Sequence, residues 1–147
     1  MNESRLHQLI EEYANVYLFA TKRLDRVLVD QAMPLSLEQF GILRVLQTQG
    51  PLSAKQIAAE TDVHKSAVTA KVSRLEERGL VTRTVQSMDR RSVLVALTPV
   101  GEEALSEGMK TITAFTAPYF SKLEEHELEV FLRVYSKLNR MLKEDQS

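Results

Sequence analysis

Between Leu52 and Gly101 two short helical patterns, a tight turn and two short runs rich in Val and Thr follow one another, an order that few small folds accommodate. The first helical pattern opens at Ser53-Ala54-Lys55-Gln56. This is a capping-box signature, in which the serine hydroxyl accepts from a free backbone N–H and the glutamine reaches back. The pattern carries Ile57 and Ala58 and gives way to a turn at Thr61-Asp62-Val63. The second runs from about Lys65 to Arg78 with Val68, Val72 and Leu75 as its apolar stripe. Gly79 stands where a left-handed C-terminal cap belongs. Leu80 to Val85 and Ser92 to Leu97 then read as strands around the polar turn Gln86-Ser87-Met88-Asp89-Arg90, which makes a hairpin.

Longer helical patterns flank this centre. From about Ser4 to Val29 apolar residues recur at helical spacing, among them Leu6, Ile10, Tyr13, Tyr17 and Leu24, until Met33-Pro34 breaks the pattern. A further capping box, Ser36-Leu37-Glu38-Gln39, starts a helix whose buried face is Phe40, Ile42, Leu43 and Leu46 and which Gly50-Pro51 ends. After the hairpin, Thr98-Pro99 supplies an N-cap and a proline at the first helical position. The helix it opens has Leu105, Met109, Ile112, Phe115 and Tyr119 on one face, and Pro118 is expected to kink or end it. A last helix spans about Glu125 to Lys143. The aromatic stripes of these flanks (Tyr13 and Tyr17, Phe115 and Tyr119, Phe131 and Tyr135) read as packing surfaces rather than a ligand box.

Charge is distributed more informatively than its sum of -1 suggests. From Ser53 to Thr98 eight Lys and Arg face five Asp and Glu, whereas the remainder of the chain is acidic. A basic centre between acidic flanks suits phosphate binding in the middle and another task at the ends. With no cysteine, disulfides, thiol nucleophiles, cysteine-ligated zinc and cysteine-based peroxide sensing are all excluded. His7, His64 and His126 stand far apart without ligands at metal-binding spacing, and no nucleophile sits on a strained turn. The expectation is a protein without enzymatic activity, metal or cofactor. No apolar run reaches the roughly 18 residues of a membrane span, and Met1-Asn2-Glu3-Ser4 does not begin a signal peptide. A cytoplasmic location is expected.

Two short helices around a tight turn, followed by a hairpin, make a helix-turn-helix with a wing: a mainly α fold carrying a small β-hairpin. If Val68, Val72 and Leu75 face the core, the advance of about 100° per residue puts Ser66, Ala70 and Ser73 on the opposite side. Thr69 and Lys65 then flank that face on one side, Ala67 and Arg74 on the other. Small and hydroxylated residues let a helix approach base edges, an alanine packs against a thymine methyl, and Arg74 is long enough to reach a guanine edge or a phosphate. Lys55 and the helix-start amides near Ser53 suit the flanking backbone.

The hairpin sequence Asp89-Arg90-Arg91, with Val93, Leu97-Thr98 and Gly101 after it, resembles the wing pattern of the MarR (multiple antibiotic resistance regulator) family. Leu75-Glu76-Glu77-Arg78-Gly79-Leu80-Val81 is similar to that family's recognition-helix end. The match covers about Leu35 to Gly101, and the helical flanks fit the family layout. The resemblance implies that Arg91 enters the minor groove, that Asp89 holds it and that Arg90 meets a phosphate. It also implies a winged helix-turn-helix domain over 34–99, and helical regions over 1–33 and 100–147 that form a dimerisation layer. Two readers in a homodimer would then address a pseudo-palindromic duplex with half-sites about one helical turn apart. The implied function is a transcriptional regulator, a repressor released by a small aromatic or phenolic ligand, with Tyr17 and Phe40 lining the effector pocket. His64 departs from the family, where a serine or similar N-cap is common, and is itself able to touch phosphate. The alternative, a winged helix that binds protein rather than DNA, would be marked by loss of the basic residues, and these are present.

Overall fold

A computed structural model of the chain describes residues 1–85 and 93–145. In order it contains α1 (Glu3–Val29), α2 (Leu37–Gln49), α3 (Ala54–Thr61), α4 (Lys65–Glu77), β1 (Val81–Val85), β2 (Val93–Leu97), α5 (Pro99–Phe120) and α6 (Glu125–Glu144). Contacts divide these into one unit over Met1–Ile112 and another over Thr113–Ser147.

Local chemistry sets the helix ends. At α2 the Ser36 hydroxyl accepts from the Gln39 N–H at 3.0 Å, and the Ser36 N–H donates to the Gln39 side chain at 3.0 Å. Ser53 and Gln56 repeat the arrangement at α3, at 3.2 and 2.9 Å. Gly50 and Gly79 close α2 and α4 at φ +82° and +74°, a conformation that costs a glycine nothing. Removing one cap has a defined consequence. Ser36→Ala is expected to lower stability by about 1 kcal/mol, read as a shift of the urea midpoint at constant slope.

The core of the first unit lies where α2, α3 and α4 meet the hairpin. Ile42 and Leu43, Ile57, Val68 and Leu75 are fully buried there, and Val81 and Val95 close it from the two strands. The strands pair antiparallel from Val81↔Leu97 to Val85↔Val93. Leu52 adds a one-residue bridge, donating its N–H to the Val95 carbonyl at 3.0 Å and accepting in return at 2.7 Å. Only Leu28 of α1 is buried. The apolar residues of α1 from Leu6 to Phe19 stay exposed, Val16 at 68% and Phe19 at 72%.

In the second unit the rings of Phe115 and Tyr119 meet at a tilt with centroids 5.7 Å apart, as do those of Phe131 and Tyr135 at 5.6 Å. No residue of α6 is buried, although one face carries Phe131, Leu132, Leu138, Met141 and Leu142. α5 runs two residues past Pro118 and ends at Phe120. Proline removes a single i→i−4 bond, and so close to the terminus the helix tolerates that loss.

Candidate nucleic-acid interface

The exposed side of α4 matches the face that helical spacing predicts, with two exceptions. Lys65, Ser66, Thr69, Ala70 and Arg74 are exposed, and Ala67 and Ser73 are half-buried. His64 is the N-cap: its Nδ1 accepts the Ser66 N–H at 3.4 Å and lies 2.9 Å from the Ser66 hydroxyl. A ring nitrogen thus replaces the usual serine oxygen, and the helix start is capped after all. The Thr69 hydroxyl donates to the Lys65 carbonyl at 3.1 Å. At α3, the capping box engages the Ser53 and Gln56 amides. Helix geometry leaves the N–H groups of Ala54 and Lys55 for an external acceptor.

Charge separates the cations of this region into two kinds. Lys71 and Arg83 are neutralised, Lys71 by Glu38 of α2 at 2.7 Å and Arg83 by Glu76 at 3.0 Å. Among the described residues Lys55, Lys65 and Arg74 have no acidic partner, and all three are exposed. Unpaired cations beside a face of serine, threonine and alanine can accept a polyanion, since each phosphate bound releases condensed counterions.

Sequence spacing alone missed Arg83. Its guanidinium lies across α4, donating to the Thr69 carbonyl at 3.4 Å, the Ser73 hydroxyl at 3.0 Å and Glu76 Oε1 at 3.0 Å. Its own backbone N–H donates to Glu76 Oε2 at 3.2 Å. A signal was available: the period of two in a strand sets Arg83 on the same side as buried Val81, and a charge facing inward needs a partner. Asp89, Arg90 and Arg91 lie outside the described residues.

Residues of α1, α2 and α3 line an open cleft of about 780 Å³ that includes Tyr17 and Phe40. Its wall also carries Lys22, Asp25, Glu38 and Arg44. Asp25 accepts the Leu37 N–H at 2.8 Å, tying α1 to the start of α2. Arg44 donates to the neutral Gln47 side chain at 2.6 Å, so Arg44 and Lys22 remain without a carboxylate partner among the described residues. Those described residues contain no group of three His, Asp or Glu able to hold a metal ion, and no helix among them is long and apolar enough to cross a membrane.

Comparison with known proteins agrees with this geometry. The MarR family profile matches residues 33–92. The chain is 32% identical to the uncharacterized HTH-type transcriptional regulator YdgG of Bacillus subtilis, over 97% of this chain and 96% of that one. It is 32% identical to the transcriptional repressor MdtR of the same organism, over 74% and 70%. The structure superposes with a TM-score of 0.72 on Bordetella bronchiseptica BpsR, whose DNA binding is regulated by 6-hydroxynicotinic acid, at 25% identity over 87% and 98% of the two chains. With a helix-turn-helix and hairpin in this order and a relative matched along nearly its whole length, the chain belongs to the MarR family of winged helix-turn-helix, DNA-binding transcriptional regulators.

Proposed function

We propose that the protein is a homodimeric repressor that reads a pseudo-palindromic duplex and lets go when a small aromatic anion enters the cleft between α1, α2 and α3. The observation that carries the DNA-reading half is the trio of unpaired cations, Lys55, Lys65 and Arg74, around exposed Ser66, Thr69 and Ala70. In this reading residues 34–99 are the DNA-binding domain. Ser66, Ala70 and Arg74 meet base edges, Lys55, Lys65 and His64 meet phosphate, and Arg91 enters the adjacent minor groove, held by Asp89, while Arg90 meets a phosphate. The regions 1–33 and 100–147 supply the dimer contact. Supporting that role, α1 and α6 each display apolar side chains at a density that water-facing helices rarely carry.

Two features support the ligand. Aromatic walls at Tyr17 and Phe40 accompany the unpartnered cations Lys22 and Arg44, a combination that suits a flat carboxylate. The same wall contains Glu38, which holds Lys71 of α4, so an occupant of the cleft presses on the reader through one ion pair. A regulator so built works in the cytoplasm, beside the DNA.

Selection from a random duplex pool tests the reading. The expected result is an inverted repeat with half-sites about one helical turn apart. Affinity should fall as salt rises, with a log–log slope near −0.9 per phosphate neutralised. Adding 6-hydroxynicotinic acid or benzoate should then release the duplex. Recovery of no repeated sequence would favour a protein-binding winged helix instead.

A further inference from the structure

We infer that Arg83 and Glu76 are positioning residues for sequence-specific DNA binding, a clamp that sets the wing at a fixed pitch to the reading helix. The inference rests on α4 being the reader. A single carboxylate holds both the guanidinium and the main-chain N–H of Arg83, at 3.0 and 3.2 Å, so the bond fixes the strand itself and not merely a side chain. The other guanidinium nitrogen continues to the Ser73 hydroxyl and the Thr69 carbonyl. Thr69, Ser73 and Glu76 stand four and three residues apart, one stripe along two turns of α4. Only a planar fork of donors spans such a stripe; the point charge of a lysine does not.

The energetic case is geometric rather than Coulombic. The Arg83 and Glu76 side chains are 30% and 40% exposed, and partly solvated ion pairs contribute little to stability. Binding two adjacent grooves at once is another matter. Any hinge freedom between helix and hairpin must be frozen on the duplex, and a unit held in the bound geometry beforehand avoids that cost. Glu76 adds a sign argument, since an acid on a DNA-facing helix repels phosphate. Simple electrostatics therefore says that removing it strengthens binding, and the clamp says that removing it weakens binding to the correct site.

The opposed signs make the test. Glu76→Ala, Arg83→Ala, Arg83→Lys and the Glu76→Ala/Arg83→Ala double variant are titrated on the selected duplex and on a scrambled one at a single salt concentration. Thermal unfolding is followed for each. Glu76→Ala is expected to bind the scrambled duplex at least as tightly as the parent, yet the selected duplex about tenfold more weakly, the scale of a coupled contact. Arg83→Lys should resemble Arg83→Ala on the selected duplex, and the double variant should be no weaker than the weaker single one. If Arg83→Ala does not fold, Glu76→Gln, which keeps the shape and one acceptor, should still lose part of the discrimination. Unchanged or improved discrimination in Glu76→Ala, or strict additivity in the double variant, overturns the clamp. A parent that does not distinguish the two duplexes overturns DNA reading and the clamp with it. A parent that does, with Glu76→Ala equal to it, overturns the clamp alone.

Discussion

Gly101→Ala should be the most damaging single-methyl substitution in the chain, costing about 3 kcal/mol, at or above the usual range for overpacking a core. Gly101 is buried at the start of α5, and a Cβ there would run into the Leu80 carbonyl oxygen while lying 2.9 Å from Leu97 Cδ1. A flexible side chain could yield; a hydrogen-bonded backbone carbonyl cannot. The Leu80 carbonyl accepts the Thr98 N–H at 3.1 Å. Thr98 in turn donates its hydroxyl to the Gly79 carbonyl at 2.6 Å and accepts the Gly101 N–H at 3.0 Å. Relief would break this whole junction between α4, the hairpin and α5. The Leu-Thr-x-x-Gly pattern of the sequence thereby acquires a physical reason: the threonine ties the turn together and the glycine leaves room for the strand. Gly41→Ala is the matched control. Nothing lies within 4 Å of a Cβ at that site in α2, and the change should be neutral or stabilise by about 0.5–1 kcal/mol through helix propensity. Urea unfolding of the two variants checks both; equal midpoints would show that the junction yields.

The largest functional effect is expected at the wing. Arg91→Ala should weaken binding to the selected duplex by about 1–3 kcal/mol, roughly five- to 150-fold, with the preference for A·T pairs beside each half-site relaxed. Lys55→Ala provides the contrast. A lost phosphate contact lowers affinity for all duplexes alike and reduces the salt slope by about one. Competition binding against a panel of flanking sequences separates the outcomes. If Arg91→Ala keeps the parent's flank preference and affinity at fixed salt, the wing is not in the groove. The strand register sets the frame for this expectation: β1 and β2 pair as far as Val85 and Val93.

Much of the fold was legible residue by residue. Ser36 with Gln39, Ser53 with Gln56, and Gly79 announce helix ends because each acts on atoms no more than four residues away. The stripe Val68, Val72 and Leu75 is buried as its spacing requires, since a helix of known pitch needs no knowledge of its neighbours to show which side is apolar. Even the choice of His64 as a cap concerns only Ser66, two residues on.

The site was legible only in outline. Helical spacing alone places Ser73 on the exposed face, but its hydroxyl is half-buried and accepts from Arg83, ten residues further along the chain. The Lys71–Glu38 pair joins helices separated by α3, and the cleft brings Tyr17 and Lys22 beside Phe40 and Arg44. Such pairings depend on where the chain returns in space. From Leu52 to Gly101 the sequence by itself determined the order of helix, turn, helix and hairpin, and which face of α4 is free of the core. Only the tertiary structure decided which residues of that face remain open to a duplex and which are taken by the wing strand, because charge and hydrogen-bond partners are chosen by proximity, and proximity is set once the elements have packed.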